Sequence, residues 1–189
     1  MVDMHWLLGM ASLISMTFIF LASMLTFFRR RPGSSSLRLL LVAGMTIGLG
    51  VIYGRLFQLE SVDGLSLGIG CALFALAQGT FWAAVVAHGA NRPSAAFADR
   101  APKTLVTAGP YGLIRHPFYV AYVLGFAGGA ALTGEVWTWA VPLWMGCLYA
   151  VAARQEERLI LRSSLGTAYR QYKNQVAAAV PRWGAWRRR

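Results

Sequence analysis

Five stretches of this chain are apolar for about as long as a helix needs to cross a bilayer, roughly 20 residues. They lie at about 5–28, 37–59, 65–88, 117–133 and 136–153, separated by runs in which charged residues, Gly and Pro collect. The last two are the shortest, and only "LTGEVW" divides them, which predicts a tight hairpin. The first run has no basic segment before it and no small-residue cleavage site after it, so it reads as a retained span, not a signal peptide. Between the third and fourth runs lies a polar connection rich in Gly and Pro. After the fifth, "RQEERLILRSSLGTAYRQYKNQ" reads as a helix at the membrane surface, followed by a basic tail. The pattern predicts an all-α integral membrane protein with five transmembrane helices and a C-terminal cytoplasmic surface helix. It forms one membrane domain over 1–189, with three spans up to residue 88 and the hairpin and surface helix over 89–189.

Composition agrees: 57% of residues are hydrophobic and 13% charged, well below the roughly 25% charged content of soluble domains. A net charge of +11 would suggest nucleic-acid binding in a soluble protein. Here the basic residues sit between apolar runs and form no aromatic-basic face, so no nucleic-acid partner is expected. With five crossings, 17 of the 18 Lys and Arg fall on one side, while Asp3, Glu60, Asp63 and Glu135 occupy the other. The positive-inside rule then puts the N-terminus outside and the C-terminus in the cytoplasm. The remaining cation, Arg55, is expected to snorkel outward or to pair with Glu60. Gly44/Gly48, Gly50/Gly54 and Gly125/Gly129 repeat at four residues, the spacing that lets helices approach closely in lipid. Cys71 and Cys147 lie in apolar runs and read as packing residues. No cluster has metal-ligand spacing, so no metal is expected. "GIGCALF", inside the third run, reads as packing as well.

One stretch carries chemistry. "GPYGLIRHPFYVAY", residues 109–122, places Arg115, His116 and Tyr119 at the mouth of the fourth span. Pro117 suits the first turn of a helix, where its missing N–H costs nothing. His116 and Tyr119, three apart, share one face of that turn. Glu156 and Glu157 follow the fifth span on the same side, so the hairpin should bring an imidazole, a phenol and a guanidinium to two carboxylates. The bland alternatives are lipid-headgroup contacts for Arg115 and His116, an interfacial anchor for Tyr119, and pairing of Glu157 with Arg154 or Arg158 along its own helix.

"TLVTAGPYGLIRHPFYVAY", followed by "EERLILRSSLGTAYRQY" and then "VPRW", resembles the isoprenylcysteine carboxyl methyltransferase family and the related phospholipid methyltransferases. The resemblance covers about residues 88–183. It implies an integral membrane enzyme that uses S-adenosylmethionine in a cytoplasm-facing pocket. The implied cofactor contacts are His116, Pro117 and Tyr119, with Glu156 and Glu157 on the amino-acid or ribose portion. The backbone of Leu105, Val106 and Thr107 would line the adenosine side, with Tyr111 close by and Tyr169 and Tyr172 as walls. Methyl transfer from a sulfonium mainly needs an in-line approach and loss of water. A carboxylate acceptor needs no base, and Arg154 could orient it; an amine acceptor needs one, with Glu157 or His116 as candidates.

Such a site, at the cytoplasmic end of a bundle, admits a lipophilic small molecule or lipid-anchored substrate from the side. A prenylated-cysteine-like carboxylate is the first expectation and a phospholipid amine the second. The short form is similar to prokaryotic members, which implies a prokaryotic plasma membrane. Two other readings stand beside it, a nicotinamide-dependent membrane reductase and a non-catalytic scaffold. On every one of these readings the tail "PRWGAWRRR" would bind anionic membrane lipid.

Overall fold

A computed structural model of the 189-residue chain describes residues 3–27, 36–89, 102 and 104–181. Among these the protein is helical, with no strand and one isolated β-bridge. The helices are α1 (Met4–Phe27), α2 (Ser36–Gln58), α3 (Gly64–His88), α4 (Pro117–Thr133), α5 (Ala140–Leu161) and α6 (Gly166–Gln175). Short 3-10 turns at Gly109–Gly112 and Val136–Trp139 precede α4 and α5. Four segments are long and apolar enough to cross a membrane; α4, with 17 residues, is the shorter fifth. In lipid, such helices satisfy their own backbone groups, which open segments cannot do. The basic stretches at 28–35 and 90–101, Lys103 and residues from 182 lie outside the described residues.

The helix limits follow local chemistry. Asp63 caps α3 by accepting from the amides of Leu65 at 3.0 Å and Ser66 at 2.9 Å, satisfying two orphan donors of the first turn. Pro117 opens α4, and Gly134 ends it in the left-handed conformation, φ 66°, which costs glycine little. The fifth helix runs eight residues beyond the expected Ala153, so Glu156 and Glu157 stand on α5 itself and not beyond its end. The expected single surface helix is also divided: α5 stops at Leu161, the chain turns, and α6 begins at Gly166. A Cβ at Gly166 would collide with the Leu161 carbonyl, so that turn requires glycine.

Short as it is, α4 is the centre of the bundle. It packs on α1, α2, α3 and α5, with α3 as its main neighbour. Small residues make this possible: a Cβ on Gly70 or on Gly128 would lie 3.1 Å from the other's carbonyl oxygen. Gly44, Gly48, Gly125 and Gly129 also face neighbouring helices, but Gly50 and Gly54 meet nothing within 4 Å and are no packing seam. Gly128→Ala would drive a methyl to 2.6 Å from the Phe74 ring. We expect it to cost about 1–3 kcal/mol by overpacking, read from reversible unfolding in mixed micelles, while Gly54→Ala costs nothing measurable.

The end of the bundle remote from Arg115 is pinned by polar contacts. Trp6 Nε1 donates to the Leu56 carbonyl at 2.7 Å, and the Thr133 and Thr138 hydroxyls meet at 2.8 Å. Arg55 pairs with Glu135 at 2.5 Å, not with Glu60. The fourth–fifth hairpin carries Glu135 back over α2, a proximity that the linear order of charges does not contain.

Candidate active site

Because His116 precedes a proline, its backbone is kept out of the helical region (φ −125°, ψ 59°). The chain arrives at α4 extended, and the segment after α6 lies parallel beside it. The Arg115 amide donates to the Ala177 carbonyl at 2.8 Å and the His116 amide to the Ala178 carbonyl at 3.1 Å, with Ile114 and Ala177 forming the β-bridge. Tyr172 on α6 adds a hydrogen bond to the Tyr111 carbonyl at 2.7 Å. Burial pushes the Tyr172 phenol up to about 12, so it remains a donor throughout the physiological range. Thus α6 and the segment that follows it clasp the loop that carries the motif.

Glu157 is the hub of this clasp. Its Oε1 accepts from Arg115 Nε at 2.9 Å and from His116 Nε2 at 3.2 Å, with Arg115 Nη2 at 2.8 Å. Its Oε2 accepts from Lys173 Nζ at 2.6 Å. The side chains of Arg115 and Glu157 are 8% and 9% exposed. Arg115 also donates to the carbonyls of Lys173 and Val176. Both oxygens of Glu157 are therefore engaged by donors of the protein itself.

Glu156 is arranged differently. Its side chain is 41% exposed. It accepts one hydrogen bond, from the Tyr119 hydroxyl at 3.1 Å, and lies 3.8 Å from His116 Nδ1. Two carboxylates adjacent in sequence thus have opposite surroundings: one is saturated, the other presents spare acceptor capacity.

An aromatic column runs from this point into the bundle. His116 stacks on Tyr119 at 5.5 Å, Tyr119 on Tyr149 at 5.2 Å, and Tyr149 on Tyr122 at 5.6 Å, with interplanar angles of 11°, 18° and 21°. Offset stacking at these spacings is favourable for each pair.

The remaining expected residues form the margins. Tyr111 is buried, with its hydroxyl 2.9 Å from His88 Nε2, and burial holds its phenol well above the ordinary range. Leu105 packs against the cluster of Ile160, Tyr169, Tyr172 and Val176, and Val106 against the cluster of Phe81, Ala84, Tyr111, Phe118 and Ala121. Thr107 is exposed and Pro117 buried. Arg154 is exposed and pairs with none of the described residues; Arg115, not Arg154 or Arg158, is the arginine on Glu157. Lys173 and Tyr149 were not expected at the site. The seven-residue spacing of Tyr149 and Glu156, two turns of one helix face, was the available signal for Tyr149. Nothing local marked Lys173, since α6 reaches Glu157 only through the turn at Gly166.

An all-helical, membrane-type bundle with a buried ion cluster, an open carboxylate and an aromatic column at one end defines the class: an integral membrane protein of helical-bundle type. The family model for phospholipid methyltransferases matches residues 65–168, more than half the chain, and the protein belongs to that family. It is similar to the cobalt-zinc-cadmium resistance protein CzcN of Cupriavidus metallidurans, 36% identical over 47% of this chain and 40% of that protein. It is also similar to the nickel-cobalt-cadmium resistance protein NccN of Alcaligenes xylosoxydans xylosoxydans, 32% identical over 44% and 38%. The matched part is thus less than half of either relative. No solved structure matches the chain.

Proposed function

We propose that this protein is an S-adenosylmethionine-dependent methyltransferase that O-methylates a carboxylate on a lipophilic, prenylated-cysteine-like acceptor. The observation that carries the reading is Glu156, a half-exposed carboxylate with free acceptor capacity beside the stacked rings of His116 and Tyr119. That set fits a cationic ligand with a flat aromatic base. The carboxylate meets an ammonium or sulfonium, and the rings offer faces to the cation or the base. Leu105, Val106, Thr107 and Tyr111 would flank the adenosine, and Glu156 would hold the charged portion.

When bound, S-adenosylmethionine supplies a methyl carbon on a sulfonium whose leaving group is a neutral thioether, so a carboxylate acceptor becomes a methyl ester with no proton moved. This suits a site in which Glu157 is already engaged by Arg115, His116 and Lys173 and is not free to act as a base. Glu157 then positions His116 and Arg115, a different role from the direct catalytic one expected for it. Arg154, exposed on the same helix, is the cation for the acceptor's carboxylate. Placing an anion beside a cation lowers the cost of bringing it to the site. We place the site on the cytoplasmic side, with the N-terminus outside, on the asymmetry of Lys and Arg.

The family's own name favours a second reading, N-methylation of a phospholipid amine, with His116 or Glu156 taking the proton. The relatives' names state metal resistance and specify no acceptor. The test is transfer from methyl-labelled S-adenosylmethionine in membranes with and without the protein, followed by extraction and mild alkali. Label released as methanol is expected for the carboxyl ester. Alkali-stable label in the lipid phase would transfer the assignment to the amine, and no label above the control membranes would remove both.

A further inference from the structure

Away from Glu156, the bundle has an apolar cavity that the site does not account for. It has a volume of about 130 Å³ and lies between α1 and α2, with α4 as its floor; Thr17, Leu21, Met45, Leu49, Tyr122 and Phe126 are among its walls. At the remote end the two helices are joined through Trp6 to Leu56, and within the crevice the Tyr53 hydroxyl donates to Thr17 Oγ1, on its wall, at 3.0 Å. Leu21, on its wall, is 57% exposed, so the cavity opens on the face that a bilayer would cover.

Two observations connect this crevice to the site. Tyr122 belongs to both: it lines the cavity and ends the aromatic column. Tyr122 lies six positions after His116, about 9 Å of helix rise. The hydroxyl of Tyr149, the ring stacked between Tyr119 and Tyr122, is buried and has no hydrogen-bond partner among the described residues. Gln78 Oε1 is the other such oxygen, and the same amide's Nε2 reaches Met16 Sδ, a further wall of the crevice, at 2.9 Å. A buried polar oxygen without a partner is costly, and the ring that carries this one is stacked between Tyr122, a wall of the crevice, and Tyr119, which bonds Glu156.

Resting on the methyltransferase reading, we propose that the α1–α2 crevice seats the apolar chain of the methyl acceptor, entering from the bilayer, and that the Tyr149 hydroxyl bonds the acceptor's polar segment on its way to Glu156. The crevice sets a preference for a single slender chain. Leu21→Trp and Met45→Trp narrow it without touching the ion cluster, and Tyr149→Phe removes only an oxygen.

The experiment uses the full chain in nanodiscs and an N-acetyl-S-farnesylcysteine that carries a diazirine on its chain, with cross-links mapped by mass spectrometry. Labelling at Leu21, Met45 and Leu49 is expected, reduced about tenfold or more by either tryptophan variant, with thermal stability and S-adenosylmethionine affinity unchanged. Tyr149→Phe is expected to weaken probe binding about five- to tenfold, the effect of one lost hydrogen bond. Labels spread evenly over the outer faces of the helices, or unaffected by both tryptophan variants, would overturn the proposal. So would a diazirine phospholipid that labels the crevice and is not displaced by the cysteine probe, since bulk lipid would then be the occupant. Methyl transfer to the same probe is measured in parallel. Specific crevice labelling without transfer leaves the binding site standing and removes the carboxyl reading, whereas transfer without crevice labelling does the reverse.

Discussion

Replacing Glu157 with glutamine is expected to destabilise the protein by roughly 3–5 kcal/mol, the cost of leaving a buried charge without its partner. The amide keeps the shape of the carboxylate and removes its charge. Arg115, only 8% exposed, would keep carbonyl contacts to Lys173 and Val176 and lose its anion. One of the two oxygens would become an NH2 donor, so either Lys173 or the Arg115–His116 pair would face a donor in place of its acceptor. Because Glu157 joins α5, the loop before α4 and α6 at one point, the clasp between Ile114 and Ala177 should loosen too, exposing α6 to proteolysis. Reversible unfolding in mixed micelles measures the loss, and limited proteolysis locates it. The double variant Arg115→Met, Glu157→Met should be less destabilised than either single change, because it removes the charges together. A Glu157→Gln protein as stable as the parent would show that the cluster does not hold the clasp.

Glu156→Gln is expected to do the opposite: stability unchanged, affinity for S-adenosylmethionine reduced about 10- to 100-fold. Glu156 is 41% exposed and bonds one phenol, which an amide oxygen also accepts from, so little of the fold depends on its charge. A hydrogen bond to a charged group contributes about 1.5–3 kcal/mol, which sets that range of affinity. Calorimetric titration of the purified protein reads it directly. His116→Ala should weaken binding as well, by removing one face of the stack. Undiminished affinity in both variants would reject the cofactor site and favour the scaffold reading. The pair Glu157→Gln and Glu156→Gln therefore separates what holds the site together from what the site holds.

The helices were legible in the sequence because apolar length in a bilayer is a one-dimensional property. Four of the five expected runs agree with the observed helices to within one or two residues. The fifth was misjudged at its end: "RQEERL" is polar and looks like an exit from the membrane, yet it continues α5 because Glu157 is neutralised by residues from elsewhere. The glycine pairs show the same limit. Gly44/Gly48 and Gly50/Gly54 have the same spacing, but the latter pair meets nothing. Spacing says that a helix can be approached closely, and only a partner's position says on which side.

The chemistry divides likewise. The order "RHPFY", hairpin, Glu-Glu was sufficient to bring Arg115, His116, Tyr119, Glu156 and Glu157 to one end, since a short turn leaves two antiparallel helices no other arrangement. The membrane class and the meeting of these five residues were thus legible in the sequence. The tertiary structure decided the rest: which glutamate is saturated and which is open, that Lys173 returns from α6 to Glu157, that Arg55 pairs across the bundle with Glu135, and that Tyr149 carries the ring stack towards a crevice. The physical reason is the range of the forces involved. Apolar length and turn geometry act along the chain over a few residues, whereas ion pairing and ring stacking act through space over a few ångströms. Residues 115 and 157, or 55 and 135, become neighbours only after the helices have packed.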